Sequence, residues 1–193
     1  MHFMGKPVLR CMGFFVSELI KNIKTMREIT TSRLLLRPFQ QNDFDDAYHL
    51  LSDPEVMRYS LNGPYSREKS RDFIDQCILK SANNEPTLFV VLDNKNHQFI
   101  GFCGFFAQKI QGEEEIELGY RLLKSQWGKG FATEAAIAVK HYAFNQLGIT
   151  RLISLIETSN RASLRVAEKN GFRIEKQMLY DGRISVAMCV ARR

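Results

Sequence analysis

The sequence predicts a single α/β domain in which strands and helices alternate around a mixed central sheet. Short apolar segments with strand patterns alternate with segments whose apolar residues recur at the helical period. A length of 193 residues suits one domain with a substantial core, and 45% hydrophobic residues is ordinary for a globular protein. No internal repeat, low-complexity tract or interdomain linker divides the chain.

The first half of the domain shows three strand patterns and two helix patterns. Asn42 is expected to cap the first helix, because acidic residues follow it where the helix dipole favours them. Ser66 is expected to begin the second helix, and nearly continuous apolar residues indicate strands that are covered on both faces. The predicted ranges are strands 32–39, 87–92 and 99–106 and helices 42–51 and 66–82.

The second half begins with a strand at 116–122 and a glycine-rich turn before a helix. The helix is predicted from the apolar spacing of Ala136, Val139, Ala143 and Leu147, with Thr133 as its N-cap and Gly148 as its left-handed C-terminal cap. A strand, a short helix opened by Asn160, and a hairpin turning at Asp181-Gly182 complete the chain. Their ranges are 151–156, 160–169, 173–180 and 184–190.

Residues 127–133, Trp-Gly-Lys-Gly-Phe-Ala-Thr, indicate a phosphate site at the start of a helix. The first helical turn has backbone N–H groups without partners, and glycines allow a phosphate to approach them. Glu134 is expected to point away from such a phosphate. The Walker pattern is absent, because Gly130 follows Lys129, and Thr133 breaks the dinucleotide fingerprint. Taken alone, the pattern is also compatible with an ordinary surface turn.

Two motifs together, residues 127–135 and Asn160-x-x-Ser163 followed by Asn170-Gly171-Phe172, resemble the acetyl-CoA-dependent N-acetyltransferases of the GNAT superfamily. Residues 33–37 and 53–57 are further traits of the branch that contains the bacterial ribosomal-protein N-terminal (alanine/serine) acetyltransferases. The resemblance covers about residues 30–191. It implies a GNAT-like domain with acetyl-CoA as cosubstrate and a mostly antiparallel central sheet of about seven strands flanked by about four helices.

The resemblance also implies which residues hold acetyl-CoA. A bulge at the end of the strand 116–122 would free a backbone N–H near Leu122 to polarise the thioester carbonyl. Asn160 would bond the pantetheine or the acceptor, although it is also a natural helix N-cap. The implied cofactor-binding residues are Leu122, Trp127, Gly128, Lys129, Gly130, Phe131, Ala132, Thr133, Asn160 and Ser163.

Two residues are candidates for catalysis. Ala167 stands where many members of the superfamily have a tyrosine acid, so the branch resemblance assigns the thiolate proton to Ser163, whose alternative role is to satisfy backbone in the first helical turn. Strand alternation places Glu115 and Glu117 on one face, and Ile116, Leu118 and Tyr120 on the other. Glu117 is therefore the favoured base or water-positioning group, the alternative being an acidic strand start near Arg121.

The acceptor is predicted to be an amine, most simply a protein N-terminus of the ribosomal-protein type. A lysine or alkyl amine needs on the order of 3 to 4 kcal/mol more than an α-amine to lose its proton near neutral pH. Two alternatives stay open, a polyamine or aminoglycoside acceptor and a non-catalytic acyl-CoA-binding sensor. The small-amine alternative draws on a run of acidic residues, Glu113, Glu114, Glu115 and Glu117.

Composition limits the remaining possibilities. Cys11, Cys77, Cys103 and Cys189 lie far apart, so a disulfide or metal framework is not expected and a cytoplasmic location is. Residues 1–28 form a basic extension carrying +3 of the net charge of +6, and their apolar spacing is compatible with an amphipathic helix, a frayed extension or a true start at Met26. No DNA partner and no stable membrane insertion are predicted. The sequence leaves a homo-oligomer open.

Overall fold

The computed structural model describes residues 27–182 and 184–193. The helix predicted within residues 1–28 lies almost wholly outside them, as does Cys11, and the division into an extension of 1–28 and a domain of 29–193 stays a prediction. The strands are β1 (Ile29–Thr30), β2 (Leu34–Pro38), β3 (Leu88–Asp93), β4 (Phe99–Ile110), β5 (Glu113–Leu122), β6 (Arg151–Glu157), β7 (Arg173–Tyr180) and β8 (Ile184–Arg192). The helices are α1 (Phe44–Ser52), α2 (Arg67–Ala82), α3 (Phe131–Asn145) and α4 (Arg161–Lys169), with short 3-10 turns at Gln41–Asp43 and Lys124–Gln126.

The eight strands form one sheet in the order β1-β2-β3-β4-β5-β6-β8-β7. Every neighbouring pair is antiparallel except the central pair of β5 and β6, which is parallel. The prediction of a mixed, mostly antiparallel sheet is confirmed. The strand beyond the predicted seven or so is β1, whose two residues are too few to show a periodic pattern.

Helices cover the sheet on both faces. One core combines α3 and α4 with sheet residues such as Leu36, Leu118 and Leu152. The second core lies on the opposite face and combines α1 and α2 with residues such as Val90 and Phe102. Because successive residues of a strand point to opposite faces, the alternation of β5 decides which side chains meet which pair of helices.

Local signals predicted the starts of two of the four described helices and missed the other two. Ser66 caps α2 by accepting a hydrogen bond from the Lys69 N–H at 3.2 Å, as expected. The Thr133 prediction is wrong, because α3 begins two residues earlier and its N-cap is Gly130, in the left-handed region with a φ of 84°. The first helix likewise begins at Phe44, after the 3-10 turn that contains Asn42.

The bulge predicted in β5 is also wrong. The register of β4 and β5 runs without a shift from Gly101 opposite Leu122 to Ile110 opposite Glu113. The irregularity in this part of the sheet lies instead between β3 and β4, at Val91 and Leu92. β5 is therefore paired with β4 along its whole length.

An ion pair fixes the 3-10 turn before α1 to strand β2. The Arg37 guanidinium donates to both carboxylate oxygens of Asp43, at 2.8 Å and 2.7 Å, and the Gln40 N–H donates to the same carboxylate at 2.7 Å. Asp43 is buried, with 6% of its surface exposed. Its carboxylate therefore satisfies buried donors from two segments.

We expect Asp43→Asn to lower the free energy of unfolding by about 2 kcal/mol, because buried donors lose a charged acceptor. The matched control is Asp45→Asn in the first turn of α1, because the ion pair of Asp45 with Arg67 is exposed and its loss should change nothing measurable. Urea unfolding of both variants measures the difference. Equal losses in the two variants would show that the buried pair does not fix the turn.

Candidate functional site

The central parallel strands part soon after they meet. The two strands, both fully described, pair at Glu117 and Ile153. Just beyond that point the Ser154 hydroxyl donates to the Leu118 carbonyl at 2.7 Å, and the Leu155 N–H donates to the Glu117 carboxylate at 3.2 Å. Side chains thus satisfy backbone groups where the strand ladder stops, and the sheet opens between the two strand ends.

A cleft of about 1050 Å³ occupies this opening. Its walls include the last residues of both strands, 119–122 and 154–157. It also reaches both faces of the sheet, since its lining includes Ala136 and Ala167 from the core of α3 and α4, and Tyr65 and Phe73 from the side of α1 and α2. We call these two parts the α3 side and the α1 side of the cleft.

The glycine-rich turn lies on the α3 side. Gly128 and Gly130 have φ values of 75° and 84°, which residues other than glycine rarely adopt. No side chain caps α3, and its first intrahelical bond runs from the Glu134 N–H to the Gly130 carbonyl at 3.1 Å. The three N–H groups before Glu134, those of residues 131–133, are therefore free to bind an anion at the positive end of the helix.

Arg33 fixes this turn from the first hairpin of the sheet. Its guanidinium donates to the Glu134 carboxylate at 2.7 Å and to the Lys129 carbonyl at 2.9 Å, and it lies 4.6 Å from the centre of the Phe131 ring. Thr31 donates to the same carboxylate at 2.6 Å. Burial favours the neutral acid, but these hydrogen bonds outweigh it and lower the pKa of Glu134. Glu134 therefore points away from the free amides, as the sequence indicated.

Lys129 is the exception among the residues predicted to bind the cofactor. Its ammonium group donates to the Gln126 side chain at 3.0 Å, and the residue does not line the cleft. The others all line it, namely Leu122, Trp127, Gly128, Gly130, Phe131, Ala132, Thr133, Asn160 and Ser163. The structure thus gathers in one cleft the two motifs that the sequence separates.

The N–H of Leu122 faces the cleft although β5 has no bulge. The Leu122 carbonyl accepts a hydrogen bond from the Trp127 indole at 2.8 Å, and the Leu123 N–H donates to Ile100 of β4 at 2.9 Å. In an antiparallel ladder the N–H and C=O of one residue point to the same side, and successive residues alternate. The N–H groups of Tyr120 and Leu122 are therefore directed away from β4 and toward the opening.

A tyrosine and a serine meet on the α3 side. The Tyr120 hydroxyl donates to the Ser163 hydroxyl oxygen at 3.2 Å. Burial raises the pKa of Tyr120 to about 12, although the contact with Ser163 opposes this, so the phenol keeps its proton at neutral pH. The Ser163 oxygen accepts the hydrogen bond from Tyr120, so the Ser163 hydroxyl can still donate its own hydrogen to another acceptor. The sequence analysis missed Tyr120, because strand alternation assigned it only to an apolar face.

Asn160 combines the two roles considered for it. Its side-chain oxygen accepts from the Ser163 N–H at 3.1 Å, so it is the N-cap of α4. Its amide nitrogen donates to no side chain or carbonyl in the described part of the chain, and the residue lines the cleft. One donor of Asn160 thus stays available to a bound molecule.

Glu117 lies on the opposite face, at the parting of the strands. Gln108 donates to its carboxylate at 2.6 Å, and the Tyr180 hydroxyl donates to Gln108 at 3.1 Å. Burial raises the pKa of Glu117, against the hydrogen bonds from Gln108 and Leu155 and the charge of Arg121. A partly exposed carboxyl with a raised pKa suits proton transfer from an amine.

The α1 side holds few unpaired charges among the described residues. Arg121 lines it, and its guanidinium makes no hydrogen bond or ion pair with a described residue. Glu55 is neutralised by the Lys124 ammonium at 2.5 Å. The other three acidic residues that suggested a polyamine lie elsewhere, because Glu113 and Glu114 are exposed at the far end of β5 and Glu115 pairs with Arg151 at 2.9 Å.

Other chemistry finds little support in the described part of the chain. Cys77, Cys103 and Cys189 are buried free thiols, and burial raises the pKa of Cys77 to about 11. Residues 27–182 and 184–193 contain no group of three His, Cys, Asp or Glu side chains that could hold a metal ion. None of the helices in these ranges is long and apolar enough to cross a bilayer.

Comparisons with known proteins identify the family of the chain. Residues 33–173 match the family described as "Acetyltransferase (GNAT) domain". An uncharacterized N-acetyltransferase of Bacillus subtilis, YnaD, is 33% identical over 147 residues, which cover 76% of this chain and 83% of that protein.

Solved structures show the same fold. The ribosomal α-N-protein acetyltransferase RimL in complex with coenzyme A matches with a TM-score of 0.73 and 21% identity, covering 86% of this chain and 98% of that one. A spermidine N-acetyltransferase from Vibrio cholerae in complex with coenzyme A and spermine matches with a TM-score of 0.70 and 21% identity, covering 84% and 96%. The chain belongs to the GNAT family and is an N-acetyltransferase that uses acetyl-CoA.

Proposed function

We propose that the acceptor is the α-amino group at the N-terminus of a protein, of the ribosomal-protein type, acetylated by direct attack in a ternary complex in the cytoplasm. The observation that carries this is the charge on the α1 side of the cleft, where the unpaired Arg121 faces the same space as Glu117. The resemblance of the sequence to ribosomal-protein acetyltransferases supports the same acceptor, whereas the fold is shared equally with RimL and with a spermidine acetyltransferase.

A polyamine fits this side of the cleft poorly. It carries two or more positive charges, and each needs a carboxylate or comparable acceptor when water is excluded. Among the described residues, the carboxylates that line the cleft are Glu117, Glu55 and Glu157; Glu55 already pairs with Lys124, and Glu157 accepts a hydrogen bond from the Ser159 hydroxyl at 2.5 Å. A polyamine bound at Glu117 would bring a second ammonium group toward Arg121, whose positive charge repels it.

An α-amine also makes the smaller demand on a base. Its pKa near 8 leaves a usable neutral fraction near neutral pH, whereas an alkyl amine near 10.4 is almost wholly protonated. Glu117 is a single carboxylate whose pKa is raised by burial, because its neighbour on the same face of β5, Glu115, is paired with Arg151. Such a base suffices for an amine that loses its proton readily.

The α3 side would hold the acetyl donor. Free amides at residues 131–133 suit the two linked phosphates, and Arg161, Arg165 and Lys169 supply nearby cationic side chains. The N–H groups of Tyr120 and Leu122 line the opening where a pantetheine chain would extend beside β5. The Leu122 N–H is the donor placed to stabilise the oxyanion that develops on the thioester.

The transfer uses one proton donor and one proton acceptor on opposite faces of the sheet. As the amine nitrogen bonds to the acetyl carbon, the carbon–sulfur bond breaks and the Ser163 hydroxyl gives its proton to the sulfur. Tyr120, which already donates to Ser163, restores that proton through the same hydrogen bond and regains its own from solvent. Glu117 takes the proton that the amine loses, directly or through one water.

Acceptor choice is tested by thiol release from acetyl-CoA with three acceptors, an N-terminal peptide library, spermidine and an aminoglycoside. We expect peptides to be acetylated on the α-nitrogen, which mass spectrometry of the products locates. Activity with spermidine or the aminoglycoside alone would refute the proposed acceptor. Binding of acetyl-CoA with no turnover on any of them would favour a sensor.

We expect Ser163→Ala to lower kcat by about 100-fold with little change in the KM for acetyl-CoA, because only the proton donor to sulfur is removed. Tyr120→Phe should lower kcat less, since Ser163 keeps its own hydrogen. The double variant should be no slower than Ser163→Ala, because the two hydroxyls act as one chain. Steady-state kinetics of the three variants measure these effects.

The matched control is Tyr142→Phe, which removes a phenol hydroxyl from α3 that does not line the cleft. It should keep the full rate. A Ser163→Ala enzyme that also keeps the full rate would exclude Ser163 as the acid, and additive losses in the double variant would exclude the chain of hydroxyls.

We expect Glu117→Gln to lower kcat/KM by about 100-fold near pH 7, with the deficit shrinking as pH rises above the amine pKa near 8. The amide oxygen can still accept from Leu155, so the strands stay apart as before. Glu117 has a raised pKa and acts as a base only when it is ionised. The wild-type kcat/KM must therefore fall as the pH drops through that pKa. A pH profile of kcat/KM for both enzymes gives the answer, and a deficit that is equal at every pH would contradict a role as base.

A further inference from the structure

Arg121 is the last residue but one of β5, and it lines the α1 side of the cleft. It stands opposite Phe102 in the ladder with β4, and Phe102 belongs to the core beneath α1 and α2. Its neighbours Tyr120 and Leu122 point to the other face. Arg121 is therefore separated by the sheet from the free amides of α3, so the phosphates of the donor are not its partner.

The guanidinium lacks the partners that the other partly buried arginines have. Arg37 is paired with Asp43, and Arg151 with Glu115 and Glu175, at distances of 2.7 to 2.9 Å. Arg121 is partly buried, and burial lowers its pKa, but it has only electrostatic contact with Tyr65 and Glu117. A cation withdrawn from water without a bound anion is unfavourable, and a bound anion would compensate it.

Gly119 lies on the same face between Glu117 and Arg121, and it leaves room for the Phe106 ring of β4. These three residues alternate along β5, so the carboxylate and the guanidinium arise about 13 Å apart along the strand at 3.3 Å per residue. A side chain at Gly119 would meet the Phe106 ring, because an added Cβ would lie 2.9 Å from it. The floor between base and cation is thus the Phe106 ring lying over the Gly119 backbone, a flat surface on which an extended segment can lie.

We propose that Arg121 recognises a carboxylate on the acceptor, one or two residues after the amine that is acetylated. This rests on the proposed peptide acceptor and names its chemistry: an N-terminus with Asp or Glu at the second or third position. The span from Glu117 to Arg121 suits a side chain one or two peptide units from the amine better than the α-carboxylate of a free amino acid, which is two bonds from its own amine. Bidentate binding by arginine suits a carboxylate.

The experiment compares kcat/KM for peptides that begin Ala-Asp, Ala-Asn and Ala-Lys, and for the same residues at the third position. The wild-type enzyme should favour the carboxylate over the amide by about tenfold, the order that one charged hydrogen bond supplies, and disfavour the lysine. Arg121→Gln should remove the preference, and Arg121→Glu should reverse it in favour of lysine. The KM for acetyl-CoA should stay unchanged in both variants.

Arg58→Gln is the matched control, because Arg58 lines the same cleft but is exposed and contacts Tyr59. It should keep the wild-type preference. Equal peptide preferences in the wild-type and Arg121→Gln enzymes would overturn the inference, as would an Arg121→Glu enzyme that still prefers the carboxylate. Thermal unfolding of each variant shows whether a loss of rate reflects a loss of fold.

Failure of the peptide acceptor itself is distinguishable. If no peptide reacts but small amines do, the N-terminal proposal fails, and Arg121 is tested with a long-chain ω-amino acid, whose carboxylate lies several bonds from its amine, and the amine formed by its decarboxylation. A preference for the amino acid that Arg121→Gln abolishes would support carboxylate recognition. The same rate for both compounds would overturn it.

Discussion

The separation of β5 from β6 is the constraint on which the rest of the site depends. Two parallel strands at the centre of a sheet normally satisfy each other's backbone groups, and strands that part leave those groups without partners. Here Ser154 and Glu117 replace part of the ladder, and the Leu122 carbonyl is satisfied by Trp127. The N–H groups that remain free line a cleft through the sheet.

Local features of the fold were predictable because their causes are local. Ser66 and Asn160 cap helices through their own side chains, and glycine and apolar spacing determine where α3 lies. The predicted seven strands all form. Thr133 was assigned as a cap because threonine is a common N-cap residue. The N-cap is instead Gly130, and its left-handed conformation cannot be inferred from the identity of Thr133.

The site itself was only partly predictable, because it combines residues that meet through tertiary structure. Alternation put Glu117 and Tyr120 on opposite faces of β5 correctly, but it could not show that Ser163 would lie within hydrogen-bonding distance of Tyr120. Arg121 was read only as a neighbour of acidic residues, since whether an arginine is paired depends on distant segments. The expected bulge is absent because the β4 ladder is continuous, yet strand alternation alone exposes the Leu122 N–H.

A cleft that passes through a sheet divides its walls between separate stretches of the chain. The turn before α3 and the start of α4 form one wall, whereas the loop after α1, together with β7 and β8, contributes Tyr59, Tyr65, Tyr180 and Val186 to the other. Mutations in one set can accumulate without disturbing the other. Substitutions on the acceptor wall can therefore change which molecule is acetylated while the residues that bind the acetyl donor stay the same.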